Sequence, residues 1–267
     1  MMRKTDGFRL SLLLMFLAVG VTTLGARQIG NRCQGSATTL DGKLYVLTCY
    51  VSQTGWTDDE VSECRAMIYQ AENWLVRQAE AYGKDVSFVN GSFGLKKPLL
   101  FDNIVSGNGV GDEPVDLVSK VMKKIGYDNG LEFVDWVNSN TDCTGCLVLI
   151  VANQPGRGYS MAYNDAYDRK EFFLEGTMLY TSYEEGVPGC AAGIAHEMCH
   201  LFGAEDLYAT FIQTAENEAR ARELFPDDIM LRTSYDINSL KIDKLTAWLM
   251  GLTEDREDWY EDFLCEQ

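Results

Sequence analysis

Histidine is almost missing from this sequence: two residues in 267, His196 and His200. Any imidazole chemistry is therefore confined to one pair. Proline is scarce too; five prolines and 24 glycines exclude collagen-like and proline-rich architectures. Basic residues are in deficit, 23 Lys and Arg against 40 Asp and Glu, which gives a formal charge of −17 and a pI near 4.5. A polyanion would be repelled at long range, so nucleic acid is excluded as a natural partner. No apolar run reaches the roughly 18–20 residues of a membrane-spanning helix. What remains is ordinary. A hydrophobic share of 46% and a charged share of 24% suit a globular chain and exclude a disordered one.

The first residues are a different kind of sequence. Arg3, Lys4 and Arg9 precede an almost unbroken apolar run from Leu10 to Val21, and Leu24-Gly25-Ala26 offers small residues at a cleavage point. Residues 1–26 thus read as a secretory signal peptide, with an uncleaved N-terminal anchor as the alternative and the one route to a membrane. The product is expected to be secreted or extracytoplasmic, or held at the cell surface if the anchor stays. All eight cysteines lie beyond this segment, and an even count in an exported chain suggests disulfides. Cys143-Thr-Gly-Cys146 has redox spacing but precedes an apolar run instead of opening a helix, so it reads as structural.

Residues 27–267 read as one domain. Leu44 to Val51 is rich in aromatic and β-branched residues and is expected to be a strand. Thr57 to Glu60 forms a capping box opening a helix to about Tyr82, with Val61, Cys64, Ile68, Ala71 and Leu75 on one face and Gly83 as its stop. Val86 to Val89 is a second strand; 90–112 reads as a loop, with Asn90-Gly91-Ser92 as a turn. Pro114 suits the first turn of a helix through Ile125, and Leu131 to Val137 is another. Cys146 to Ala152 reads as a central strand. A long polar loop over 153–176 follows, and then an edge strand, Thr177 to Tyr183. Helices are expected at Ala191–Phe202 and Ser239–Met250. The fold class is α+β, a mixed sheet with packed helices.

The chemistry concentrates in Ala195-His196-Glu197-Met198-Cys199-His200-Leu201-Phe202-Gly203-Ala204-Glu205-Asp206. On a helix, positions four apart project from one face. Two imidazoles so placed can hold one Zn²⁺ through ring nitrogens at about 2.0–2.1 Å. Glu197, one residue round the helix, is placed to reach a water activated by that ion and not the ion itself. Ile194, Ala195, Met198, Cys199, Leu201 and Phe202 make the helix apolar nearly all round, hence buried. Gly203 can turn the chain back sharply. Asp206 can then supply the third ligand, with Glu205 as its rival. In a shuffled chain the two histidines would fall four apart about once in 130 cases, and the added acid, glycine and acid make chance roughly 1 in 10⁵, well below the rate for a bare motif.

On these residues the chain resembles the zincin metallopeptidases of the metzincin-like branch, in their secreted bacterial form. The run His196 to Tyr208 matches H-E-x-x-H-x-x-G-x-x-D-L-Y, with Asp206 where many members carry a third His. A methionine turn is a second family feature; Pro226-Asp227-Asp228-Ile229-Met230 fits it, with Met230 in that role. The order of elements is similar over about residues 44–251. The resemblance implies a zincin-like mixed sheet around a central zinc-binding helix, and a protein or peptide substrate hydrolysed with Glu197 as general base. It also implies that the strand at 177–183 pairs with an extended substrate. Several relatives carry a transition-state tyrosine two residues after the turn methionine; here Tyr235 and Tyr208 are the nearest candidates. Two other readings of the motif stand beside this one: a zinc-stabilised cell-surface binding protein that hydrolyses nothing, and a metal-dependent hydrolase of a non-peptide amide.

Overall fold

The computed structural model describes residues 35–37, 39–93, 99–100, 114–161, 174–183, 186–210 and 213–264. Residues 1–26, read above as a signal peptide, lie outside them, as do Cys33 and Cys265. Among the described residues no helix is long and apolar enough to cross a membrane.

Among the described residues six strands form one mixed sheet: β1 (Gly42–Ser52), β2 (Val86–Phe93), β3 (Leu99–Leu100), β4 (Gly145–Pro155), β5 (Tyr159–Met161) and β6 (Gly176–Ser182). Their order is β2-β1-β4-β6-β5, with β3 also paired to β1. All neighbours run parallel except β5, which is antiparallel to β6. Successive residues of a strand point to opposite faces, and here that alternation builds two cores. Leu44, Val46, Tyr50, Leu147, Leu149 and Val151 pack on one side, and Leu47, Cys49, Val51, Val148 and Ile150 on the other. Covered on both faces, β1 and β4 read as nearly continuous apolar runs.

The helices are α1 (Asp58–Glu80), α2 (Pro114–Ile125), α3 (Gly130–Asn140), α4 (Ala191–His200), α5 (Ala215–Leu224) and α6 (Lys244–Leu249). α1 and α4 pack together in the first core, while α2 and α3 contribute to the second. The α1 capping box forms as its sequence dictates. Thr57 N donates to Glu60 Oε2 at 2.7 Å, and Glu60 N donates to Thr57 Oγ1 at 3.3 Å.

Several expectations are corrected. The strand at 86–89 continues to Phe93, so Asn90-Gly91-Ser92 is strand and not turn: its backbone joins the β1 ladder, and Asn90 Nδ2 donates to Glu72 Oε2 at 2.9 Å. The 153–176 loop contains β5, so β6 is not an edge; β5 covers Gly176–Met178. The helix expected over 239–250 is two pieces, a 3-10 turn at Ile237–Ser239 and α6. Between them Ile242 N donates to Gln78 Oε1 and Asp243 N to Asp228 Oδ2, both at 2.8 Å. These tertiary bonds take the backbone away from a continuous helix. The charged segment Ala215–Leu224 forms α5 and buries Asn217 and Ala221.

The disulfide expectation is also corrected for the described cysteines. Cys49, Cys64, Cys143, Cys146, Cys190 and Cys199 are all buried and unpaired. They pack as small apolar side chains, and burial pushes the thiols of Cys64 and Cys146 up to about 12. Cys143 and Cys146 sit at the start of β4 and not at a helix start, in keeping with a structural role.

Glu72 is the exception inside the α1 core. It is 4% exposed, and its Oε1 has no hydrogen-bond partner. Burial raises its carboxyl from 4.5 to about 7, against the opposing pull of Asn90. A raised carboxyl favours the protonated folded state. Its stabilising contribution is complete below pH 4.5 and is lost as pH rises through about 7. Glu72→Gln keeps the Asn90 contact without the buried charge. Thermal melts of the variant and the parent are expected to agree near pH 4.5 and to diverge above pH 7, the variant more stable by up to about 3 kcal/mol.

Candidate metal centre

α4 carries the site. It is buried against the first core through Ile194, Ala195, Met198 and Cys199, and this fixes which way its polar residues face. His196 and His200 lie on one face, ring centroids 4.9 Å apart. Gly203 then adopts φ +95°, a conformation costly for residues with a Cβ. The reversal turns Ala204 back so that its carbonyl accepts from His200 Nδ1 at 2.8 Å, and it returns Asp206 to the histidines. Asp206 Oδ1 stands 3.2 Å from His196 Nε2 and 3.3 Å from His200 Nε2.

The second anchor comes from the 226–231 turn. Ile229 O accepts from His196 Nδ1 at 3.0 Å, and Leu207 N donates to Met230 O at 2.9 Å. Met230 is fully buried. The turn is held by Asp228, whose carboxylate accepts from Met230 N at 2.7 Å and from Asp243 N at 2.8 Å. Burial, opposed by those donors, raises Asp228 to about 6.

These contacts test whether a cation suits the residues. A carbonyl only accepts, so each Nδ1 carries a proton and donates it, leaving each Nε2 with its lone pair turned inward. Both lone pairs aim at Asp206 Oδ1, a buried acceptor without a partner in hydrogen-bonding geometry. Three acceptors facing one another demand positive charge between them. Titration behaviour agrees. Burial works against His200, but the Asp206 carboxylate pushes it up to about 9. Burial also works against Asp206 ionising, yet the two imidazoles hold it far below the usual carboxylate range. A proton can answer the demand in part; a divalent ion answers it fully, and its binding would displace that proton. The three ligand atoms lie within 4.8 Å of one another, and they form a group that could hold a metal. Glu205, the alternative third ligand, is not in the group.

Glu197 is not in that group; it lines a cavity of about 450 Å³ together with His196, Tyr208 and Arg157. Its carboxylate is fixed by Ser160 of β5, whose hydroxyl lies 2.8 Å from Glu197 Oε2 and 2.7 Å from Glu197 O. A Cβ at Gly158 would stand 3.0 Å from Glu197 Oε1, so glycine lets the backbone close over the acid. Tyr208 stacks on the His196 ring at 6.2 Å. Burial raises its hydroxyl pKa, and the charge and hydrogen bond of Asp206 raise it further. Tyr235 is elsewhere. It is 65% exposed, donates to Pro188 O at 3.0 Å and does not line the cavity. Sequence reasoning missed Ser160, Gly158 and Arg157, all in or beside β5, a three-residue strand within a polar stretch that carries no periodic signal.

Comparison with known proteins adds little. No family profile matches the chain, and no curated protein does. Among solved structures the chain is similar to metalloproteinase-II from Bacteroides fragilis, with a TM-score of 0.42 and 12% identity over 79% of this chain. The match spans 53% of that structure, about half its length. A likeness of that size leaves the chemistry of this chain to be read from its own geometry.

Proposed function

We propose that this chain is a secreted zinc-dependent endopeptidase in which His196, His200 and Asp206 hold Zn²⁺ and Glu197 is the general base. The observation that carries the reading is the convergence of two imidazole lone pairs and a buried, unpartnered carboxylate oxygen beside a cleft that holds one further carboxylate. Two imidazoles and a carboxylate are a zinc-type donor set of three, which leaves a coordination position open. When bound there, the ion supplies Lewis acidity, lowering the pKa of a water and polarising a carbonyl. Glu197, held by Ser160 and not committed to the ligand group, takes the water proton and delivers it to the leaving amine. Ile229 O and Ala204 O keep both imidazoles in the tautomer that offers Nε2. Of the two candidate tyrosines, Tyr208 stacks on His196 and lines the cavity, and its hydroxyl is the one assigned to the developing oxyanion.

The test is elemental analysis of native protein never exposed to chelators, with hydrolysis of casein and a peptide library. Stoichiometric zinc, and hydrolysis that chelation abolishes and added zinc restores, are expected. Absence of a stoichiometric transition metal would overturn the reading. Zinc without hydrolysis of anything would favour the binding protein, and hydrolysis confined to a non-peptide amide the third reading.

Ser160 offers a graded check. Ser160→Ala removes the hydroxyl that fixes Glu197, and a hydrogen bond to a charged group contributes about 1.5–3 kcal/mol. A roughly 10-fold or greater fall in kcat at unchanged zinc content and KM is expected, with Ser160→Thr restoring most of it, measured by steady-state kinetics on one peptide.

A further inference from the structure

The hydrolytic steps leave one cation of the cleft without a role. Arg157 lies in the connection between β4 and β5 and lines the same cavity as Glu197 and His196. Its backbone is pinned on both sides. A Cβ at Gly156 would strike the ring of Tyr180, and one at Gly158 would press on Glu197. The turn is wedged between β6 and Glu197, which fixes the backbone from which Arg157 lines the cavity. The Arg157 charge is felt by the Tyr208 hydroxyl, where it opposes Asp206 and Glu197.

The second arginine of the cavity is already engaged. Arg232 holds Asp227 at 2.7 Å and donates through Nε to Pro226 O at 3.0 Å. No carboxylate among the described residues pairs with Arg157 in this way. In a chain of −17, an exposed arginine that lines the same cavity as Glu197 and has no paired acid among the described residues is a ready partner for an external carboxylate. Arginine presents a fork of donors that matches a carboxylate with two parallel hydrogen bonds. Met67, Val151, Leu179 and Ile194 add an apolar stretch to the same wall.

We infer that Arg157 selects substrates carrying a carboxylate within a residue or two of the scissile bond, next to an apolar side chain that fills the wall formed by Met67 and Ile194. The inference rests on the peptidase reading. The carboxylate has two sources with one chemistry, an Asp or Glu side chain or a free C-terminus.

The experiment uses full-length zinc-loaded protein and one apolar-centred peptide, made with Glu, Gln or Lys beside the cleaved bond, each with a free or an amidated C-terminus. Wild type is expected to prefer Glu over Lys by about 10-fold or more in kcat/KM, with Gln between. A preference for free acid over amide that is independent of the side chain assigns the C-terminus as the source. Arg157→Glu is expected to reverse the Glu–Lys order at unchanged zinc content. Calorimetric Kd values on Glu197→Gln protein are expected to follow the same order without turnover. Wild-type rates and Kd values that agree within two-fold across all six peptides, unchanged by Arg157→Glu, overturn the inference. If zinc is bound and no peptide is cleaved, the peptidase reading fails by itself, and the binding order still decides the role of Arg157.

Discussion

Glu197→Gln, purified with its zinc intact, is expected to hydrolyse peptides 10²–10⁴-fold more slowly than wild type, the range that one positioned acid–base group typically supplies. The substitution is close to isosteric. The Ser160 hydroxyl can still donate to an oxygen at the position of Oε2, and the contact with Gly158 is kept. The ligands are untouched, because Glu197 is not one of the three groups whose atoms converge. Only basicity is lost: an amide cannot accept the water proton. Three measurements separate the outcomes, namely kcat, zinc per chain and Kd for a peptide substrate. Loss of kcat with zinc and Kd unchanged is the expected pattern. Wild-type turnover with zinc still bound would remove Glu197 from the general-base role. Joint loss of zinc and turnover would instead make it a support of the metal site.

What could be read in the sequence was what local rules decide. The α1 start was legible because Thr57 and Glu60 satisfy each other across one turn. The cluster was legible because i, i+4 spacing, a glycine able to take positive φ and an acid three residues later are all local, and Gly203 does reverse the chain. Met230 could be placed in a turn, but only the fold puts Ile229 O under His196, 33 residues away. Other features depend on partners distant in sequence. Ser160 reaches Glu197 from 37 residues away through a strand too short to leave a pattern. One helix was expected over Ser239–Met250, and the bonds of Gln78 and Asp228 to residues 242 and 243 broke it. Tyr235 and Tyr208 were both candidates from the sequence; only the fold shows that Tyr208 stacks on His196. An even number of cysteines suggested bridges, but the count says nothing about where six buried side chains pack.

Asp206→Asn separates metal binding from folding by moving them in opposite directions. In the wild-type protein Asp206 Oδ1 faces two Nε2 atoms at 3.2 and 3.3 Å, an arrangement that needs a cation or a proton to be stable. An amide nitrogen in that place carries two protons and can donate one to each ring, satisfying neutral imidazoles without any ion. With chelator above about pH 9, where His200 of the wild type has given up the proton that Asp206 holds on it, the variant is therefore expected to be at least as stable as wild type, by denaturant or thermal melts. With zinc the order inverts. A ligand that binds only the folded state stabilises it by RT ln(1 + [L]/Kd), about 4 kcal/mol at a free zinc concentration 1,000 times Kd. Wild type is expected to gain that shift. The variant, which offers a neutral amide where the ion needs a carboxylate, is expected to gain little of it and to lose turnover along with the metal. Equal zinc-dependent shifts in Tm for the two proteins would mean that Asp206 is not a ligand. A variant much less stable than wild type in chelator would mean that its carboxylate serves the fold and not the ion.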